Sequence, residues 1–118
     1  MNKKVLLLFA VLISMVSFAQ QETKLEFNKN TNLINATYFH DNGMISQTGT
    51  YTLDGKLQGT WTSYNLQGEK LAVGNYDNGL KVGKWFFWSD DTLKEVDFNK
   101  SKITNVNEWK SDSKLAIH

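Results

Sequence analysis

The chain has 118 residues, about 13.5 kDa, which is room for one domain. It has no cysteine, and all 13 basic residues are lysine. Disulfides, thiolate metal sites, cysteine nucleophiles, a lipidated N-terminal cysteine and guanidinium forks are therefore excluded, and a formal net charge of +1 offers no concentrated basic patch for nucleic acid.

Residues 1–20 open with Lys3 and Lys4, run from Val5 to Ile13 without a polar residue and close on Ser17-Phe18-Ala19. A basic start, a short apolar stretch and a small-x-small end are the three parts of a secretory signal peptide. The apolar run falls short of the roughly 20 residues that a spanning helix needs. Residues 1–19 are expected to leave after Ala19, giving an exported chain, periplasmic or secreted. Loss of Lys3 and Lys4 leaves 11 lysines against 12 acids, a net charge of −1. Such a surface attracts neither nucleic acid nor anionic lipid, so membrane binding is not expected after cleavage. Small exported domains usually rely on disulfides. Here the 13 aromatic residues beyond Ala19 are the expected substitute, since each ring can bury a large area.

Residues 20–109 read as one β-hairpin domain. Strands are predicted at 23–29, 33–40, 44–53, 56–64, 69–77, 80–88, 93–98 and 102–109. These runs are rich in β-branched and aromatic residues and alternate in polarity. Asn42-Gly43, Asp54-Gly55, Gln67-Gly68 and Asn78-Gly79 separate them. Asn-Gly and Asp-Gly suit two-residue hairpins, because both central residues of a type I′ turn need positive φ. No proline removes a ladder donor. The fold class is all-β: an elongated antiparallel up-and-down meander. Residues 110–118 read as a polar, frayed tail.

An internal repeat organises the middle. Gly43, Gly49 and Tyr51 recur 25 residues later as Gly68, Gly74 and Tyr76. Gly55, Gly59, Trp61 and Tyr64 recur 24 residues later as Gly79, Gly83, Trp85 and Trp88. All eight glycines fall in this pattern. The copies span about 38–63 and 64–87, with a degenerate third at 88–109 in which Phe98 stands for Tyr76. Terminal repeats are expected to be atypical, since one side faces water. Residues 23–37 fall outside the pattern. Within strand 80–88, Trp85 and Phe87 point to one face and Phe86 and Trp88 to the other. Four consecutive rings are read as a strand covered on both faces. Lys81, near its start, is read as solvated.

The residues offer little for catalysis. His40 and Asp41 could suggest a base with an orienting carboxylate, but adjacent strand residues point apart. Asp90, Asp91 and Asp97 lack the loop that supplies calcium with six to eight oxygens. No Gly-x-Ser-x-Gly elbow is present, and the glycines are spread over hairpins rather than gathered in one phosphate loop. No enzyme activity and no cofactor are expected.

The pattern Tyr-x-x-x-Gly, Gly-x-Tyr, Asn-Gly and Gly-x-Trp-x-x-Tyr resembles the MORN-type repeat. More narrowly, it resembles the bacterial variant found in antitoxin-like proteins of the YwqK group, and the likeness covers residues 38–88 well and 89–109 loosely. The resemblance implies a meandering sheet that works by protein contact, in an antitoxin- or immunity-like role. The expected function is thus an exported, non-catalytic module that binds a protein. Trp85, Phe87, Trp88, Tyr64 and Trp109 form the candidate surface. The alternative is a carbohydrate- or envelope-binding module that stacks polysaccharide on exposed rings.

Overall fold

The computed structural model describes residues 23–111. The signal-peptide reading of 1–19, the tail beyond 111 and His118 lie outside the described residues. Eight strands follow in order: β1 Lys24–Asn28, β2 Leu33–Phe39, β3 Ile45–Tyr51, β4 Leu57–Tyr64, β5 Lys70–Asp77, β6 Leu80–Ser89, β7 Thr92–Asn99 and β8 Lys102–Lys110. They form one sheet in which each strand pairs antiparallel with its sequence neighbour. The meander therefore stands, with strand ends within two residues of the sequence reading.

All substantial contacts join strands adjacent in the chain, so the described residues form a single layer. Among the described residues, only Ala36, Trp61, Trp85 and Val96 are buried apolar side chains. The expectation that strand 80–88 is covered on both faces is therefore corrected. Trp85 is 6% exposed, but Phe86, Phe87 and Trp88 are half-buried. The rings shield one another instead: Trp85 stacks on Phe87 at 6.0 Å and Phe86 on Trp88 at 6.2 Å. A continuous apolar run can arise from ring-on-ring packing within one sheet as well as from cover by a second layer.

The repeat is written into the ladder as bulges. Thr48 pairs with Thr62 and Thr50 with Gln58, which leaves Gly59-Thr60-Trp61 facing Gly49 alone. Val73 pairs with Phe86 and Asn75 with Val82, which leaves Gly83-Lys84-Trp85 facing Gly74 alone. The glycines at the head of each bulge take φ of 73° and 67°, a region closed to most side chains. The outer hairpins keep the positions without the device. Leu25 pairs with Ala36, and Val96 with Val106, where the middle hairpins place glycine and tryptophan. Residues 24–37 therefore continue the same row of paired positions without the repeat's glycines and tryptophans. Only the pairing register reveals this.

The turns differ more than their Asn-Gly signals suggest. Asn78 and Gly79 both have positive φ, 48° and 86°, and join Asp77 directly to Leu80 as a two-residue hairpin. Gly43 also has positive φ, but it sits in a longer turn in which His40 bonds both Gly43 and Met44 through its backbone. The expectation of a two-residue turn at Asn42-Gly43 is corrected. The same longer form recurs at Thr52–Lys56 and Asn65–Glu69. At one end of the strands, the β5–β6 and β7–β8 turns are each tied to the start of a strand one repeat away. Gly79 N donates to Leu57 O, Asn78 N to Gln58 Oε1, and Ser101 N to Lys81 O, all at 2.8 Å. The two edges, β1 and β8, carry Lys24, Lys102 and Lys110, and β8 has a bulge near Ile103. Lysines and a bulge discourage edge-to-edge pairing.

A Cβ at residue 79 would meet no atom within 4 Å, so any cost of alanine there is conformational. Gly79→Ala should lower stability by about 1–2 kcal/mol. Lys56→Ala, on an exposed turn, should be near neutral. Urea midpoints of the two variants check the ordering.

Candidate functional site: a ring face and an end cleft

Opposed residues of an antiparallel pair share a face, so the register sorts the side chains. One face carries Leu25 and Phe27 from β1, Ile34, Ala36 and Tyr38 from β2, and Gly49 and Tyr51 from β3. It continues with Leu57, Trp61 and Ser63, then Ala72, Gly74 and Tyr76. Trp85 and Phe87, Val96 and Phe98, and Val106 complete it. No charged side chain stands on this ring face from β1 through β5. Lys81, Lys94, Lys110 and Glu108 appear at its β6–β8 side. The opposite face is mixed over the same first five strands, with Leu33, Phe39, Ile45, Tyr64 and Val73 among charged and polar side chains. It presents Lys24, Glu26, Asn35, Thr37, Thr48, Thr50, Thr60, Thr62 and Asn75.

The ring face is built from two copies of one lock. Trp61 folds back across β3 and covers Gly49, where a Cβ would stand 2.0 Å from the indole. Its Nε1–H donates to Thr50 O at 3.0 Å. Trp85 covers Gly74, where a Cβ would stand 1.9 Å away, and donates to Asn75 O at 3.1 Å. Each indole thus satisfies its one polar atom on a carbonyl beside the bulge that placed it. Tyrosines close over the indoles. Tyr51 lies edge-on to Trp61 at 5.0 Å, and Tyr76 edge-on to Trp85 at 5.0 Å. Tyr76 also meets Trp61 at 6.4 Å, so it joins the two locks. Phe98 takes the corresponding place beside Trp85 at 5.8 Å. This is how Trp61 and Trp85 become buried in a sheet with no second layer.

The expectation that Lys81 is solvated is corrected. Its Nζ lies 5.2 Å from the Trp85 ring and 5.0 Å from the Phe98 ring. The ammonium is drawn to the negative ring faces while its stem covers apolar surface. On the ring face Tyr38 and Tyr51 meet hydroxyl to hydroxyl at 2.6 Å. Burial, followed by the bond to Tyr38 and its charge, pushes the Tyr51 hydroxyl from an ordinary 10.0 up to about 12. Burial raises Tyr76 as well.

The opposite face carries a second ring group at one end. Trp88, Leu93 and Trp109 lie in one row across β6, β7 and β8, with Phe86 stacked on Trp88. Beside them Lys84 bonds Glu95 and, at 3.1 Å, Asp97, which raises its pKa. A cleft of about 590 Å³ opens between the β4–β5 and β6–β7 turns. Asn65, Glu69, Lys70, Leu71, Trp88, Ser89, Asp90 and Asp91 line it. The Trp88 Nε1–H is buried and has no hydrogen-bond partner among the described residues.

The five expected surface residues do not share one face. Trp85 and Phe87 are on the ring face, and Trp85 is buried. Tyr64, Trp88 and Trp109 are on the other face, with Trp109 45% exposed. Sequence reasoning passed over Leu25 and Phe27, which are 60% and 55% exposed on the ring face. Their alternation with Lys24, Glu26 and Asn28 was the available signal. It also passed over the cleft, because Asp90-Asp91 reads as an ordinary turn. His40 is tied into the framework: its Nε2–H donates to Tyr64 O at 2.9 Å. No three of the described histidines, aspartates and glutamates are grouped to hold a metal ion. No family model, curated protein or solved structure matches the chain.

The lock makes a stability prediction. Trp85→Ala should cost about 3–5 kcal/mol. Gly74→Ala should cost about 1–3 kcal/mol, by forcing the indole off its seat. The two costs should fall short of additivity, since both remove the same contact. Denaturant midpoints of the single and double variants measure the coupling.

The tyrosine pair makes a prediction on pH. Tyr51 holds its proton more tightly when folded than the ordinary 10.0 of an exposed tyrosine. The folded state therefore binds more protons between the two values. Its contribution is fully present below pH 10 and is lost as pH rises toward about 12. Melting temperatures taken across that window should fall less steeply for Tyr51→Phe than for the parent.

Proposed function

We propose that the chain is a non-catalytic module that binds a protein through its ring face. One observation supports this above others: from β1 through β5 that face bears rings, aliphatic side chains and small residues and no charge. The opposite face of the same strands carries Lys24, Glu26 and a series of threonines and asparagines between its apolar residues. Apolar area of this kind on a soluble sheet marks a contact surface. Toward β8 the same face turns basic. Lys94 and Lys110 stand there against Glu108, around a hollow of about 560 Å³ lined in part by Phe87 and Thr92, and Lys81 lies on the same face at the other end of β6. The fitting partner presents an apolar surface whose border on one side is acidic. Complementary rims of that type set orientation and on-rate while the apolar centre supplies affinity.

The all-β meander with two in-register copies supports the likeness to MORN-type repeats. With the likeness comes an antitoxin- or immunity-like role at the cell envelope, consistent with the export signal read from residues 1–19. Among the described residues the one histidine, His40, is bonded to the Tyr64 carbonyl.

The test is to recover and identify the partner from the host envelope with the mature chain as bait, then to repeat the capture with single charges added to each face. Phe27→Lys on the ring face should abolish capture, and Thr62→Lys on the opposite face should preserve it. Both variants should melt near the parent temperature. Capture lost with Thr62→Lys and kept with Phe27→Lys would move the contact to the other face.

A further inference from the structure

We infer that the end cleft beside Trp88 is a binding site for a neutral saccharide, separate from the ring face. The argument starts from a comparison of two gaps that the repeat makes equivalent. Between the β2–β3 and β4–β5 turns, the gap is bridged. His40 Nε2 reaches Tyr64 O at 2.9 Å, and Asn42 Nδ2 reaches Leu66 O at 3.1 Å. One repeat later, Asn65 stands where His40 stood and Trp88 where Tyr64 stood, at offsets of 25 and 24 residues.

The bridge is not repeated there. The Asn65 side chain is shorter and is used up inside its own turn. Its Oδ1 accepts from Gln67 N at 3.0 Å and Glu69 N at 2.9 Å, while its Nδ2 donates to Glu69 Oε1 at 3.0 Å. Two neighbouring turns that the repeat elsewhere ties together therefore stand apart. About 590 Å³ lies between them, within the range of ligand pockets.

The chemistry of the walls selects the ligand. Trp88 brings a ring and a buried indole N–H with no acceptor among the described residues. An unsatisfied buried donor is costly, and an acceptor oxygen would remove that cost. Glu69, Asp90 and Asp91 bring carboxylates, which only accept, and Lys70 brings an ammonium, which only donates. A simple anion would face three carboxylates against one lysine. A simple ammonium ligand would have nothing to accept the indole N–H. A sugar has hydroxyls that both donate and accept and a C–H face that packs on a ring. It suits the ring, the carboxylates and the ammonium that line the cleft, and a small turn of the Trp88 ring would bring its N–H to a sugar oxygen.

The test uses the mature chain, ¹⁵N-labelled, with cellotetraose, chitotetraose and maltotetraose as separate probes. The four indole N–H resonances are followed through each titration. At least one probe should shift the Trp88 resonance saturably and leave those of Trp61 and Trp85 in place. Trp88→Phe keeps the ring and removes the donor; it should weaken binding about tenfold, which is about 1.4 kcal/mol. Asn65→His restores to this gap the residue that bridges the earlier one. It should abolish saccharide binding while melting no lower than the parent. The proposal is overturned if no probe moves Trp88 at up to about 10 mM, well above a millimolar dissociation constant. It is equally overturned if a folded Asn65→His binds as the parent does. Neither outcome touches the protein-binding reading, whose variants lie on the ring face.

Discussion

An indole laid flat on a glycine is the contact on which this sheet depends. A single-layer sheet has no second element to bury its apolar side chains, so burial must come from within the layer. Trp61 and Trp85 achieve this by folding across a neighbouring strand instead of standing up from it. That requires a missing Cβ beneath each ring, supplied by Gly49 and Gly74. It also requires a displaced backbone behind each ring, supplied by the Gly59 and Gly83 bulges. Take away either glycine of a pair and the ring loses its seat or its angle of approach. The indole N–H then loses its carbonyl as well.

From this lock the remainder of the ring face follows. Once the indoles lie flat, the tyrosines at 51 and 76 can close over them edge-on, and Tyr76 links one copy to the next. Lys81 and Phe98 finish the second copy, with Phe98 in the place of the next tyrosine. The outer hairpins, with Leu25 and Ala36 at one end and Val96 and Val106 at the other, keep the register but not the lock. Burial therefore concentrates in the middle of the sheet. Large apolar side chains at its margins, Phe27 and Ile103 among them, remain exposed.

The two candidate sites have different origins in the same repeat. The ring face is what the repeat produces when it is obeyed: identical faces add side by side into one apolar surface. The end cleft is what it produces when it is broken. Asn65 in place of the His40 position turns inward, and the inter-turn bridge is lost. In repeat architectures each unit contacts its neighbours only, so one altered turn opens one gap and leaves the other repeats intact.

Much of this protein is determined by its sequence alone. Period-two alternation, eight glycines in register and no proline fix an all-β meander, because local propensity and turn chemistry act over a few residues. Asn78-Gly79 was legible as a tight turn for the same reason. Only the tertiary structure decided which strand residues share a face. Alternation sorts the residues within one strand, but which face of one strand joins which face of the next is set by the pairing register, and longer turns such as His40–Met44 share the Asn-Gly signature of short ones. Alternation had already set Trp85 and Phe87 apart from Trp88; the register then placed Tyr64 and Trp109 with Trp88. The cleft was invisible for a further reason. It depends on which acceptor Asn65 chooses among several nearby, and that choice is set by distances across the sheet, not by the identity of the residue.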